Sequence, residues 1–192
     1  TGKWGVFGTN NMNKVTLEDC NLNRFDIHCY GKDITIKDCT FNNMYNQFSS
    51  IYGTIRYENC YFKEHTPYLN ETSYNSFTPF TLVMKNCVWE VSSYGIPEAL
   101  CVMGGLTGEY NERLELNKRA YPNVYIDGLK IVAPSKFSDV YVFWNNEGVA
   151  DTRPVENISE VMVESLVINE GCGLKLWNNE ISTSNGIIFS VK

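Results

Sequence analysis

Three side chains of different chemistry crowd into one short segment, Arg24-Phe25-Asp26-Ile27-His28. If the segment is a strand with Phe25, Ile27 and Cys29 turned inward, then Arg24, Asp26 and His28 share the outer face. Same-face neighbours on a strand lie ~7 Å apart, so Asp26 can reach either flanking group. A carboxylate between a guanidinium and an imidazole can anchor a polar ligand or exchange protons with one. The plainer alternative is a solvated strand whose charges pair with each other. Only two His occur in the chain, and one of them falls here.

A second constellation is a repeated string. Trp144-Asn145-Asn146-Glu147 recurs as Trp177-Asn178-Asn179-Glu180, each time after a strand-like run. Outward Trp144 and Trp177 on consecutive repeats would form an aromatic platform, with Asn145 and Asn178 beside it. Such a surface suits a sugar, whose C–H faces stack on rings while amides take its hydroxyls. The repeat also brings Glu147 near Glu180. Glycosidic cleavage uses two carboxylates, ~5 Å apart for retention or about 6.5–9.5 Å apart for inversion. Against this stands simple repetition, in which Trp packs over a bend, Asn fills turns and Glu faces water. The candidate catalytic residues are thus Asp26, His28, Arg24, Glu147 and Glu180. The candidate substrate-binding residues are Trp144, Trp177, Asn145 and Asn178.

The elements that must position these residues are legible from a repeated sentence: apolar, any, apolar, two polar, Cys or Leu, any, apolar. It runs over 15–22 (Val-Thr-Leu-Glu-Asp-Cys-Asn-Leu), 34–41, 55–62 and 82–89, with Cys20, Cys39, Cys60 and Cys87 in one column. Two later copies, 124–131 and 161–168, put Leu129 and Leu166 in that column. Alternation of period two predicts a strand with one buried face. The two polar residues before the Cys mark a sharp bend. A unit of this length cannot bury its own apolar face and must stack on its neighbours, as in a solenoid. Short Val-, Ile- and Thr-rich strands separated by bends predict an all-β chain, a single-stranded parallel β-helix with loop insertions at its bends. Stacking places the Cys column at one strand spacing, ~4.8 Å, which suits a small buried hydrophobe at a tight corner.

One β-helix domain is expected over residues 1–192, with roughly seven to eight coils. Residues 1–8 already read as strand, so the domain is expected to be a fragment of a longer protein. Insertions are expected over 63–79 and over about 92–123, the latter with a strand at 99–103 and a short helix at 109–119. The net charge is −6, the pI about 5.0, and no basic cluster occurs. A nucleic-acid partner is therefore not expected. No apolar run approaches the ~18 residues of a membrane span. With no C-x-x-C and two His, no metal site or cofactor is expected. The seven Cys are odd in number, and an in-register column holds their Cβ vectors parallel, so disulfides are not the organising principle.

The repeat resembles that of the pectin-lyase-like right-handed parallel β-helix. The opening stretch, Trp4-Gly5-Val6-Phe7-Gly8-Thr9-Asn10 with 15–20 and Arg24-Phe25-Asp26-x-His28, resembles a segment of bacteriophage tail and tail-spike β-helix proteins. The resemblance implies a protein of the virion tail or the extracellular space, commonly a homotrimer. It implies binding of a cell-surface polysaccharide and, in an enzymatic form, its cleavage by hydrolysis or elimination. Asp26 and His28 are the matching positions. The chain departs from calcium-dependent pectate lyases, since it lacks their cluster of Asp on one strand face. Two rival readings stay open: a non-catalytic shaft or receptor-binding module of a virion, and a fragment of a bacterial polysaccharide lyase or hydrolase.

Overall fold

The computed structural model describes residues 6–42, 45–48, 51–70, 80–93, 98–103, 122–145, 159–177 and 187–192. Within these, the side chains of 6, 7, 9–11, 28–30, 51, 52, 69, 70, 103, 145 and 187 fall outside the description. The described elements are all strands: β1 (Val6–Glu18), β2 (Asn21–Leu22), β3 (Arg24–Lys37), β4 (Thr40–Asn42), β5 (Tyr45–Phe48), β6 (Ile51–Glu58), β7 (Tyr61–Lys63), β8 (Thr66–Asn70), β9 (Thr81–Lys85), β10 (Val88–Glu90), β11 (Ala99–Met103), β12 (Asn123–Val132), β13 (Asp139–Asn145), β14 (Ser159–Ile168), β15 (Gly173–Trp177) and β16 (Ile187–Val191). Every pairing among them is parallel.

The pairings sort into three ladders, which the chain visits in rotation. The first runs Val15, Ile34, Ile55, Leu82, Val124, Val161, Phe189 across β1, β3, β6, β9, β12, β14 and β16. The second runs Leu22, Phe41, Phe62, Trp89, Ile131, Ile168 across β2, β4, β7, β10 and the ends of β12 and β14. The third joins the starts of β1 and β3 to β5, β8, β11, β13 and β15. Residues 66–70, expected in an insertion, instead form β8 of this third ladder. The strand expected at 99–103 is β11. The helix expected at 109–119 lies outside the described residues.

The bend between the first and second ladders explains the repeated sentence. Asp19, Asp38, Asn59, Asn86, Gly128 and Ser165 all have positive φ, from 51° to 76°. Gly tolerates this left-handed geometry because it lacks a Cβ, and Asp and Asn because their short side chains bond locally. The turned-out amides still pair along the stack: Asp38 N donates to Glu58 O at 3.0 Å and Asn59 N to Lys85 O at 2.9 Å. The next residue turns inward. Cys39, Cys60, Cys87 and Leu129 are each 1% exposed. The thiols donate to the carbonyl two residues back, as in Cys39 Sγ to Lys37 O at 3.0 Å. Burial pushes the Cys39 thiol up to about 11, so the thiol keeps its proton, and its donor role, at neutral pH.

The ladders meet in one core. Phe41 of the second stacks on Phe62, with centroids 5.4 Å apart, and meets Tyr57 of the first edge-on at 6.2 Å. A buried polar relay ties all of this to the third ladder. Asn46 accepts from Phe25 N at 3.0 Å and donates to the Tyr57 hydroxyl at 3.1 Å, which donates to Pro67 O at 2.8 Å. The relay satisfies groups that would be costly to bury alone.

Candidate functional site

Arg24 and Asp26 do share a face, and they close on each other. Arg24 Nε lies 2.6 Å from Asp26 Oδ1. Its other nitrogens donate to the Tyr45 hydroxyl, at 3.3 Å, and to Gln47 Oε1 on β5. The guanidinium carbon sits 4.6 Å from the Tyr45 ring centroid, a cation–π contact. The two charged side chains are only 13% and 4% exposed. With Phe25 and Ile27 filling the core side, β3 is buried on both faces here. The side chain of His28 lies outside the described residues. What is described is a neutralised clamp between β3 and β5, with a carboxylate that solvent barely reaches.

The two tryptophans are not in register. Trp177 pairs with Phe143, and Trp144 pairs with Val102. The strings repeat at an offset of 33 residues (177 − 144), but the strands pair at 34 (177 − 143). A slip of one residue exchanges faces. Trp177 therefore packs against the core, its ring 5.1 Å from that of Phe143. Trp144 meets Tyr141 edge-on at 5.7 Å. The expected platform of two neighbouring outward Trp is thus corrected to two separate packing positions. Glu147, Glu180 and Asn178 lie outside the described residues, as does the side chain of Asn145.

A different surface is open. On the outer face of the first ladder a trough of about 220 Å³ is lined by Val83, Lys85, Tyr125, Asp127, Met162 and Glu164, over the backbone of Met84 and Ile126. The register explains its shape. One outward row reads Thr16, Thr35, Arg56, Val83, Tyr125, Met162, Ser190, polar at both ends with Val83, Tyr125 and Met162 as its apolar and aromatic stretch. The next row reads Glu18, Lys37, Glu58, Lys85, Asp127, Glu164 and supplies a charged rim. Tyr125 is fixed in place, its hydroxyl donating to Glu160 Oε2 at 3.0 Å. That bond, more than burial, raises the phenol above its ordinary pKa, so Tyr125 remains a neutral ring. Lys192 Nζ holds Glu164 Oε1 at 3.0 Å.

No family model, curated protein or solved structure matches the chain. Among the described residues, no group of three or more His, Cys, Asp and Glu is placed to hold a metal ion. The trough offers one aromatic face, two aliphatic flanks and a rim of hydrogen-bonding carboxylates and a lysine. That combination stacks and orients a ring bearing hydroxyls. The volume, about 220 Å³, is below the ~300–1,000 Å³ of drug-sized pockets.

Sequence reasoning missed this trough. Its residues come from three repeats, with Tyr125 lying 42 positions after Val83 and Met162 another 37 on. The available signal was vertical: the second and fourth positions of the aligned eight-residue copies are the two outward rows.

Proposed function

We propose that the chain is a closed right-handed parallel β-helix that binds a cell-surface polysaccharide on the outer face of its first ladder. The observation that carries this reading is Tyr125, presented between Val83 and Met162 in an open trough with carboxylates at its edge. The three parallel ladders visited in rotation support the β-helix, and their stiffness suits a long polymer laid across several repeats. The resemblance of the opening segment to phage tail and tail-spike proteins extends the proposal to a virion-borne or extracellular homotrimer. Cleavage of the polymer would need a carboxylate pair free to exchange protons. Asp26 is tied to Arg24, which favours a binding or shaft role over catalysis at that position.

The test is retention of the protein on a panel of immobilised bacterial surface polysaccharides, paired with mass spectrometry of the soluble products. Retention on one glycan is expected, and Tyr125→Ala should weaken it about tenfold, the loss of one stacking contact. The variant should keep the parent's circular dichroism spectrum. Retention that survives Tyr125→Ala unchanged would place the glycan elsewhere. Shortened products would add an enzymatic function, and their masses would separate hydrolysis from elimination.

A further inference from the structure

The charged row beside the trough follows a rule and breaks it once. Across the first ladder the row runs Glu18, Lys37, Glu58, Lys85, Asp127, Glu164, with Lys192 bonded to Glu164 at its end. Of its six neighbouring pairs, five join opposite signs; only Asp127 and Glu164 set like charges side by side. Elsewhere the alternation is used: Lys37 Nζ lies 3.1 Å from Glu58 Oε2. Like charges directly across a strand pair disfavour each other. The break coincides with the trough, since Asp127 and Glu164 both line it together with Tyr125. Lys85, next to Asp127 in the row, lines it as well, and Glu160 accepts from the Tyr125 hydroxyl.

We infer that the trough selects a sugar carrying a free, protonated amine, seated with its ring on Tyr125 and its ammonium between Asp127 and Glu164. This rests on the glycan-binding reading and narrows it to an amino-sugar polymer. Lys85 and Lys192 flank the two carboxylates from outside, and the ammonium supplies the cation between them, its three N–H donors meeting carboxylate acceptors in charge-assisted hydrogen bonds. An acidic sugar would bring a third like charge to the same place. An acetylated amine keeps the ring's stacking face but loses the charge.

The experiment titrates the protein, by calorimetry in low salt at about pH 5.5, which keeps the amine of the probe protonated. The probes are tetramers of glucosamine, of N-acetylglucosamine and of galacturonic acid, with tetra-lysine as a cationic compound that has no sugar face. The glucosamine tetramer is expected to bind at least about tenfold more tightly than the acetylated one, and the galacturonate tetramer most weakly. In the double variant D127N/E164Q, confirmed as folded by circular dichroism, the preference for the free amine over the acetylated amine should vanish. Equal or tighter binding of the acetylated tetramer by the parent would overturn the inference and leave the glycan reading standing. If no tetramer binds, the inference fails, and the glycan reading stands or falls on the polysaccharide panel. Tetra-lysine binding as tightly as glucosamine, with Tyr125→Ala changing neither, would overturn it by reducing the trough to an acidic patch.

Discussion

Arg24 with Asp26 on the third ladder, and Asp127 with Glu164 on the first, are both charged pairs on parallel strands, and their surroundings differ in every respect. The first pair is opposite in sign, almost wholly shielded, and supplied with Tyr45 and Gln47 as further partners. The second pair is like in sign and on a face open to solvent, with Lys85 next to Asp127 in the row and Lys192 bonded to Glu164. The third ladder is buried on both faces at 25–27, and again at 100–102 where Leu100, Cys101 and Val102 are fully enclosed. The first ladder keeps its outer rows at the surface. A polar constellation whose valences close internally contributes to folding. One that leaves a charge pattern incomplete on an open face is available to a ligand.

The widest gap between the two regions should appear on truncation. Arg24→Ala removes the guanidinium from beside a buried carboxylate and is expected to lower the unfolding free energy by about 3–5 kcal/mol. Asp127→Asn, on the open face, should change it by less than ~0.5 kcal/mol. Urea unfolding of the two variants gives both numbers directly. Similar small losses from both would show that the Arg24–Asp26 clamp is not structural, and would return Asp26 to the list of groups free for chemistry.

A second way to sharpen the contrast uses pH. His65 packs beside the stacked pair Phe41 and Phe62, with ring centroids 5.4 and 6.0 Å away. Burial, with a smaller push from the positive charge of Arg24, lowers its pKa to about 3. The unfolded chain takes up this proton near pH 6.5 and the folded chain does not, so the unfolded state binds more protons across that window. Stability is therefore complete above about pH 6.5 and falls as the pH drops towards 3, each unit being worth up to about 1.4 kcal/mol. His65→Phe, which keeps a stacking ring, should flatten that part of the curve. The check is the midpoint of thermal unfolding at several pH values. An unchanged slope in the variant would mean that other groups carry the acid response.

These contrasts also mark what could be read from residues alone. The strands and their bends were legible because the requirement is local. A left-handed residue at each bend asks for Asp, Asn or Gly, and Asp19, Asp38, Asn59, Asn86 and Gly128 answer it. The inward Cys column was legible for the same reason, one small residue per corner. The clamp was half legible: alternation put Arg24 and Asp26 together, but nothing in the segment signals that Tyr45 and Gln47, some 21 residues later, enclose them. The Trp platform misled because similarity of strings stood in for pairing register, and the two differ by one residue. The trough was hidden because insertions separate its three repeats, so that a feature contiguous across the ladder is scattered along the chain.

The smallest effect concerns the one bend that departs from the local rule, and it lies next to the trough. Ser165 follows Glu164 and holds φ at 53°, a conformation that costs an ordinary side chain roughly 1–2 kcal/mol. Its counterparts at the same bend position are Asp, Asn or Gly. Ser165→Asn should therefore stabilise the protein by about 0.5–1 kcal/mol, since Asn tolerates the left-handed region better. It does so without touching the charges of Asp127 and Glu164. The comparison then becomes sharp. If stabilising the bend leaves amino-sugar affinity unchanged, the residue beside the trough serves only the backbone. If affinity rises along with stability, the bend helps hold Glu164 in its binding position, and the line between the fold and the site runs through Ser165. Thermal unfolding and calorimetry on this single variant decide between the two.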